Sequence, residues 1–257
     1  MNIFKNLYQY RELLKTNVQK EVRGKYKNSF LGVLWSFLNP LLQICVYAIV
    51  FPLILKNNQP NYVIFLCVAL IPWTFFTTCV QQSASTMIQN GNIIKKVYFP
   101  REILPISVVT SGMINFIIST VIIFAFLIIY HVGITKYIVF FPVILVVQYI
   151  LQLGISFIVS SVTVYLRDLE HLIGVALQLL FYGTPIVYAA ESIPEDFKFI
   201  IQYNPMTYII NGYRNIFYDQ TMPDLHALAI LFVISILVCV VGYMIFKKLQ
   251  KGFAEEL

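Results

Sequence analysis

Two short groups of ionisable side chains have the types needed for acid–base chemistry. Asp168 lies close to Glu170 and His171, and Arg101 directly precedes Glu102. Such groups act as general acid and base when a fold brings them to one site. The sequence contains no HxxxxD or DxD motif and no pair of histidines at metal-ligand spacing. A glycosyltransferase or an acyltransferase is therefore an alternative that the sequence disfavours, and we predict neither a catalytic residue nor a metal ligand.

Uncharged polar residues recur at helical spacing within three long apolar segments. Side chains three or four positions apart share one face of a helix. The stripes are Ser36, Asn39, Gln43 and Tyr47; Gln148, Gln152, Ser156 and Thr163; and His171, Gly174, Gln178 and Tyr182. All except Thr163, His171 and Gly174 are predicted to line a channel for a polar, uncharged ligand such as a sugar. The alternative is helix packing, because amide and small side chains also hold spans together.

The segments that carry these stripes are membrane spans by composition. Of the 257 residues, 59% are hydrophobic and only 12% are charged, which a soluble domain of this length would not tolerate. A helix needs about 20 apolar residues to cross the hydrocarbon core. The predicted spans are residues 33–55, 62–87, 103–130, 137–166, 172–188 and 225–246. No ionisable residue lies well inside any of them, which disfavours a proton-coupled carrier.

The distribution of lysine and arginine predicts the orientation of the spans. Residues 1–33, the second and fourth loops and the tail together hold fourteen of the 18 basic residues, and the other side holds four. Because basic residues accumulate on the cytoplasmic side, both termini are predicted there. The chain is thus predicted to be a multi-pass protein of the inner or plasma membrane of a bacterium. Its net charge of +6 follows from this topology and gives no reason to invoke nucleic acid.

The predicted fold is all-α, with residues 1–257 forming one transmembrane domain. Residues 1–30 alternate basic and apolar positions and predict an amphipathic helix in the membrane interface. Residues 33–246 hold the six spans, and residues 247–257 form a cytoplasmic tail. Between spans five and six, "SIPEDF" and "NPMTYIINGYRNIF" begin like helices, with Ser192 before Pro194 and with Asn204 capping Pro205. Two short helices are therefore predicted at the outer face.

Several segments together resemble a known family. They are "FLGVLWSFLNPLLQ" at the first span, the basic segment "NGNIIKKVYFPRE", "YLRDLEHLIGVALQLLFYGTPIVY" and "NPMTYIINGYRNIF". With six spans and an amphipathic N-terminal helix, the chain resembles the permease subunit of an ABC-2 type exporter. It is most similar to the polysaccharide-export branch, which moves lipid-linked O antigen, teichoic acid or capsule. An ABC-2 exporter of a small drug or lipid is the alternative within the family.

The resemblance implies that the motor is a separate protein. The sequence lacks the GxxxxGK[ST] phosphate loop, so ATP and Mg²⁺ would bind a partner ATPase and this chain would carry no cofactor. The segment between spans two and three would be a coupling helix that docks on that ATPase. Its predicted residues are Gly91 for a sharp entry, Ile93, Ile94, Val97, Tyr98 and Phe99 as an apolar knob, Lys95, Lys96 and Arg101 for charge, and Pro100 to end the helix. The alternative is an ordinary basic loop, which would leave five apolar residues exposed.

The resemblance also implies partners and gates. The permease would work as a homodimer with two copies of the cytoplasmic ATPase and with a lipid-linked polysaccharide as substrate. Arg167 and Asp168 would form a hinge near the cytoplasmic gate, although an ordinary ion pair at a helix end explains them equally well. The remaining predicted gate residues, at the outer face, are Pro185, Tyr188, Asn204, Pro205 and Arg214.

Overall fold

The computed structural model describes residues 8–24, 32–55, 59–190 and 193–257. Within these ranges the chain forms helices and no strands, which confirms the predicted all-α class. The α-helices are α1 (Arg11–Gly24), α2 (Trp35–Leu55), α3 (Tyr62–Gln89), α4 (Gly91–Lys96), α5 (Ile103–Ile129), α6 (Phe141–Tyr165), α7 (Leu169–Tyr182), α8 (Lys198–Gln202), α9 (Pro205–Phe217), α10 (Leu225–Leu249) and α11 (Phe253–Glu256). Short 3₁₀ helices occupy Gly32–Leu34, Lys136–Phe140, Glu195–Phe197 and Gln250–Gly252.

Five of the described helices are long and apolar enough to cross a membrane: α2, α3, α5, α6 and α10. They match five of the six predicted spans, and the chain is a multi-pass membrane protein. The fifth predicted span corresponds to α7, which has 14 residues and ends at Tyr182 rather than at Tyr188. At 1.5 Å per residue it is about 21 Å long, shorter than the hydrocarbon core of about 30 Å. The apolar run continues to Tyr188, but Gly183 and Pro185 interrupt the helix.

The helices form a bundle with two distinct ends. We call the end that carries α4 and α11 the basic end, and the end that carries α8 and α9 the opposite end. The main hydrophobic core is centred on α3, most of whose residues are buried, whereas α2 and α10 expose many apolar side chains. A second hydrophobic cluster lies at the basic end and includes Met87, Ile94, Phe99, Phe246 and Phe253.

Part of the predicted amphipathic helix is described, as α1. It packs against α5, and its side chains Leu13 and Leu14 contact the second hydrophobic cluster. Lys20 Nζ lies 3.4 Å from Asn90 Oδ1, a hydrogen bond that ties α1 to the turn before α4. Residues 1–7 and 25–31 of this region lie outside the described residues.

Two spans, α6 and α10, are in direct backbone contact. A Cβ atom added at Gly154 would lie 2.6 Å from the backbone nitrogen of Cys239, and one added at Gly242 would collide with the carbonyl oxygen of Gly154. Two glycines therefore let these backbones approach each other directly, as small residues commonly do between spans.

Replacing Gly154 by alanine is expected to destabilise the bundle by about 1–3 kcal/mol, because the added methyl group forces α6 and α10 apart. The measurement is thermal unfolding of the purified chain in detergent. Gly174→Ala is the matched control, since nothing lies within 4 Å of a Cβ atom at that helical position. Alanine favours helix there by up to about 1 kcal/mol. Equal melting temperatures for the two variants would contradict the close approach.

Candidate functional site

The basic loop, residues 90–102, changes direction at Asn90. The Asn90 side chain donates a hydrogen bond of 2.7 Å to the carbonyl oxygen of Thr86 and so closes the end of α3. Gly91 was predicted to permit this sharp entry, but it is helical and packs under Leu257, where an added Cβ would make an ordinary contact at 3.6 Å. Asn90 was missed, although an asparagine just after an apolar helical run is a common end signal.

The five apolar residues of the basic loop divide into two groups. Ile94 and Phe99 are buried in the second hydrophobic cluster, so they attach α4 to the bundle and are not part of an exposed knob. Ile93, Val97 and Tyr98 are 49%, 56% and 87% exposed. Lys95 and Lys96 beside them are exposed as well. What the loop offers to a partner is therefore a patch of three apolar residues and two lysines, which we call the α4 patch.

Arg101 and Pro100 have different environments from those predicted. Helix α4 ends at Lys96, and the extended backbone at Val97 follows it, so Pro100 is not needed to stop the helix. Instead its carbonyl oxygen accepts a hydrogen bond of 3.1 Å from the nitrogen of Ile103 at the start of α5. Arg101 turns inward: its Nη1 donates to the carbonyl oxygen of Gln250, and its guanidinium lies 5.8 Å from the Phe253 ring centroid.

Helix α10 extends to Leu249, so the tail begins at residue 250 rather than at residue 247. The tail connects the basic loop with the end of α6. Helix α11 packs against both α4 and α6. Tyr165 Oη donates a hydrogen bond of 2.7 Å to the carbonyl oxygen of Leu249, and Arg167 Nη2 lies 3.5 Å from that of Glu256. Arg167 and Asp168 are both exposed, and no ion pair between them occurs in the described part of the chain. Of the two, the structure thus connects Arg167 to the tail.

Arg101 and Glu102, one of the two groups considered for acid–base chemistry, have separate partners. Glu102 is fully buried, and its Oε1 lies 3.0 Å from Lys247 Nζ of α10. Arg101, the neighbour of Glu102, binds the tail instead. The sequence offered one signal for the missed Lys247, a basic residue in the last turn of an otherwise apolar helix. The buried pair fixes the start of α5 against the end of α10.

The stripes of α2 and α7 provide accessible polar groups. Asn39, Gln178 and Tyr182 are exposed, Gln43 and Tyr47 are half-buried, and Ser36 is nearly enclosed. The two helices approach each other where the rings of Tyr47 and Phe181 lie 5.7 Å apart. We call the accessible polar residues of these two helices the polar face.

The stripe on α6 has a different environment. Gln148, Gln152 and Ser156 are fully buried within this chain, so in this conformation they do not line a channel at its surface. Gln148 Nε2 donates a hydrogen bond of 2.9 Å to the carbonyl oxygen of Pro72, and its Oε1 accepts one of 3.0 Å from Tyr213 Oη. These contacts join α6 to α3 and α9. The polar stripe of α6 therefore serves helix packing, which was the alternative interpretation of such a stripe.

At the opposite end, Asn204 and Arg214 hold residues 183–188, which we call the connecting segment. Asn204 Oδ1 caps α9 by accepting from the nitrogen of Met206 at 3.0 Å, and its Nδ2 donates to Thr184 Oγ1 at 2.7 Å. Arg214, only 4% exposed, donates a hydrogen bond of 2.8 Å to the carbonyl oxygen of Ile186. Its guanidinium lies 3.6 Å from the Phe65 ring centroid. Two predicted gate residues thus bind the same segment.

Helix α9 agrees with its predicted pattern. Pro205 occupies the first turn, and the predicted apolar stripe of Met206, Ile209, Ile210, Tyr213, Ile216 and Phe217 is buried. Pro185 is buried in the connecting segment. The other predicted helix start is described from Ile193, so Ser192 lies outside the described residues. There Pro194 precedes the 3₁₀ helix Glu195–Phe197.

Two tyrosines add hydrogen bonds at the opposite end. Burial raises the pKa of Tyr188 and of Tyr218, and the Arg214 charge opposes the rise in both. Both hydroxyls keep their protons at neutral pH and are therefore donors. Tyr188 Oη donates to the carbonyl oxygen of Tyr182 at 2.5 Å, and Tyr218 Oη donates to that of Pro60 at 2.6 Å.

Comparison with known proteins agrees with this architecture. Residues 12–218 match the family described as ABC-2 type transporter. The chain is 34% identical to the O-antigen export system permease protein RfbA of Myxococcus xanthus, over the full length of both chains. It is 38% identical to a protein of the same name from Klebsiella pneumoniae, over 96% of this chain and 95% of that protein. From these full-length similarities and the family match, the chain belongs to the ABC-2 type transporter family.

Proposed function

We propose that this chain is the permease subunit of an ATP-driven exporter that moves a polyprenyl-linked polysaccharide of the O-antigen class across the bacterial inner or plasma membrane. The observation that carries the proposal is the full-length similarity to two permeases named for O-antigen export. The polar face supports it, because exposed amides and tyrosines on α2 and α7 suit the hydroxyl groups of a glycan.

The proposed assembly is a homodimer with two ATPase chains at the basic end, which faces the cytoplasm. By sequence, fourteen of the 18 basic residues belong to segments predicted on the cytoplasmic side, and α4 and the tail at the basic end are among those segments. The polar faces of the two protomers meet and enclose the channel, whose lining includes Asn39, Gln43 and Tyr47 of α2 and Gln178 and Tyr182 of α7. The chain acts as a transport subunit and performs no ATP hydrolysis itself.

The α4 patch is the proposed contact with the ATPase. Its three exposed apolar residues would be left in water without a partner, and its two lysines give the contact a charge preference. Movement of the ATPases on binding ATP presses on α4 and, through the bond of Lys20 to Asn90, on α1. Because Ile94 and Phe99 fix α4 in the bundle, this movement reaches α5, α6 and α10.

Changing Lys95 and Lys96 together to glutamate is expected to reduce co-purification of the ATPase and to abolish export, because the contact charge is reversed. The measurement is co-purification in detergent, followed by ATP hydrolysis with and without a lipid-linked glycan. Lys136→Glu with Lys198→Glu, which makes the same charge change on the side away from the basic end, is the matched control. Unchanged ATPase binding and export in the Lys95 and Lys96 variant would refute the docking role.

A further inference from the structure

A cavity of about 420 Å³ lies between α2, α3 and α5 and has no role in the proposal above. Three amides border it, those of Asn39, Gln82 and Asn115, together with the hydroxyl groups of four serine and threonine residues. None of the described residues that line it is ionisable. Its volume falls in the range of small-molecule sites, about 300–1,000 Å³. The cavity is thus large enough for a ligand and is chemically suited to a polar, uncharged one.

Two of the amides have buried polar atoms without a hydrogen-bond partner within the described chain. They are Oε1 of Gln82 and both polar side-chain atoms of Asn115, all of them buried. Buried polar groups in folded proteins are almost always paired, because leaving them unpaired costs free energy. Gln152 is also unpaired, but packed helices enclose it completely. Gln82 and Asn115 differ because they border open space, which a ligand can fill.

Aromatic rings line other parts of the same cavity. Trp35 of α2, Phe75 of α3 and Phe116 of α5 all contribute to it. Flat apolar rings beside amides and hydroxyls are the combination that suits a pyranose, whose ring faces are apolar and whose edges carry hydroxyl groups. A lipid chain would satisfy the rings but would leave the amides unpaired.

The cavity borders the polar face. Ser36 and Asn39 line it, and both belong to the polar stripe of α2. Asn39 is exposed, whereas Ser36 is fixed to α5, because its carbonyl oxygen lies 3.4 Å from Ser119 Oγ. A glycan that passes along the polar face therefore passes the opening of the cavity.

We propose that this cavity binds one uncharged sugar residue of the exported polysaccharide, with Gln82 and Asn115 as its hydrogen-bonding groups. This inference rests on the proposed function and adds a binding site within each protomer. The site would hold the glycan at intervals during its passage, and it would favour neutral sugars, because a charged one would lack a counter-ion there.

A tryptophan in the lining of the cavity can report ligand binding. The chain has two tryptophans, Trp35 at the cavity and Trp73 in the main core. The chain is labelled with 5-fluorotryptophan, and its ¹⁹F NMR signals are assigned with Trp73→Phe. Methyl glycosides of mannose, galactose and N-acetylglucosamine are the probes, with glycerol as the control for unspecific solvation. We expect a saturable shift of the Trp35 signal with at least one glycoside, while the Trp73 signal stays unchanged and reports an intact core.

The variants test the assigned amides. Gln82→Leu and Asn115→Leu are each expected to weaken glycoside binding about tenfold through the loss of a hydrogen bond. Gln89→Leu is the matched control on the same helix as Gln82, since that side chain is exposed and bonds only to Ser85 at 3.0 Å among the contacts described. Thr78→Val, which removes a hydroxyl at nearly constant shape, replaces any leucine variant whose Trp73 signal reports misfolding.

Three outcomes would overturn the inference: no saturable shift at Trp35, an equal shift with glycerol, or equal affinity in the wild type and the leucine variants. The first two would mean that the cavity binds no glycoside, and the third would mean that the glycoside binds without Gln82 and Asn115. Failure of the proposed function would look different, because the unlabelled ATPase would then not bind the wild-type chain and no glycan would be exported. An exporting wild type with unresponsive Trp35 would refute the cavity site alone.

Discussion

Replacing Arg214 by leucine is expected to abolish export while leaving the ATPase bound to the permease. Arg214 is buried at the opposite end of the bundle, where it donates to the carbonyl oxygen of Ile186 and covers the Phe65 ring. A hydrogen bond from a charged group contributes about 1.5–3 kcal/mol and a desolvated cation–π contact about 2 kcal/mol. Leucine removes both and leaves the Ile186 carbonyl without this donor. The connecting segment is then expected to loosen.

Two measurements separate this effect from general unfolding. Hydrogen exchange of residues 183–188 should accelerate strongly in Arg214→Leu, whereas exchange at α4 and α11 should stay unchanged. Arg214→Lys should give an intermediate result, because lysine keeps the charge but lacks the planar guanidinium. Lys198→Leu is the matched control, since among the described residues Lys198 pairs only with Glu195, in a largely exposed ion pair worth about 1 kcal/mol or less. Normal export by Arg214→Leu would show that export does not depend on the contact of Arg214 with the connecting segment.

The parts of the fold that the sequence predicted well are those with a local cause. Long apolar runs predict spans because hydrocarbon demands them, and five of the six predicted spans are long helices. Asn204 before Pro205 predicts the start of α9 because a side-chain oxygen must cap the first turn, and Asn204 Oδ1 does so. The basic loop was also predicted from a local feature, the cluster of lysine and arginine residues between two apolar runs.

The errors have a common physical cause, which is that tertiary neighbours are not encoded locally. Lipid tails are as apolar as a protein core, so the residues around a polar stripe do not show whether the stripe is buried between helices or accessible. The polar stripes on α2 and α6 therefore look alike in sequence. The structure separates them, because Gln148 bonds to Pro72 and Tyr213 whereas Asn39 is exposed. In the same way, Phe99 looked like part of an exposed knob because other members of its cluster, such as Phe253, lie far away along the chain.

The same cluster gives the second large expected effect: Phe253→Ala should let ATP hydrolysis continue while export falls. Phe253 is fully buried, its ring centroid lies 5.8 Å from that of Phe246, and Arg101 lies against it. Truncating a buried phenylalanine to alanine typically costs about 3–5 kcal/mol. The cost here falls on the small cluster that also holds Ile94 and Phe99. Loss of this anchor should free the basic loop from α6 and α10.

ATP hydrolysis should continue without export because the freed basic loop can move without moving the spans. The α4 patch keeps its exposed residues, so the ATPase still binds and hydrolyses ATP, but its movement is absorbed by the loosened loop and no longer reaches the spans. The measurement is the number of ATP molecules hydrolysed per glycan exported, which should rise. Phe199→Ala makes the same chemical change at an exposed position and should leave the ratio unchanged. Phe253→Leu should restore part of the coupling by refilling the cluster. An unchanged ratio in Phe253→Ala, with faster hydrogen exchange in α11, would mean that α4 passes its motion on through α3 and α5 without help from the tail.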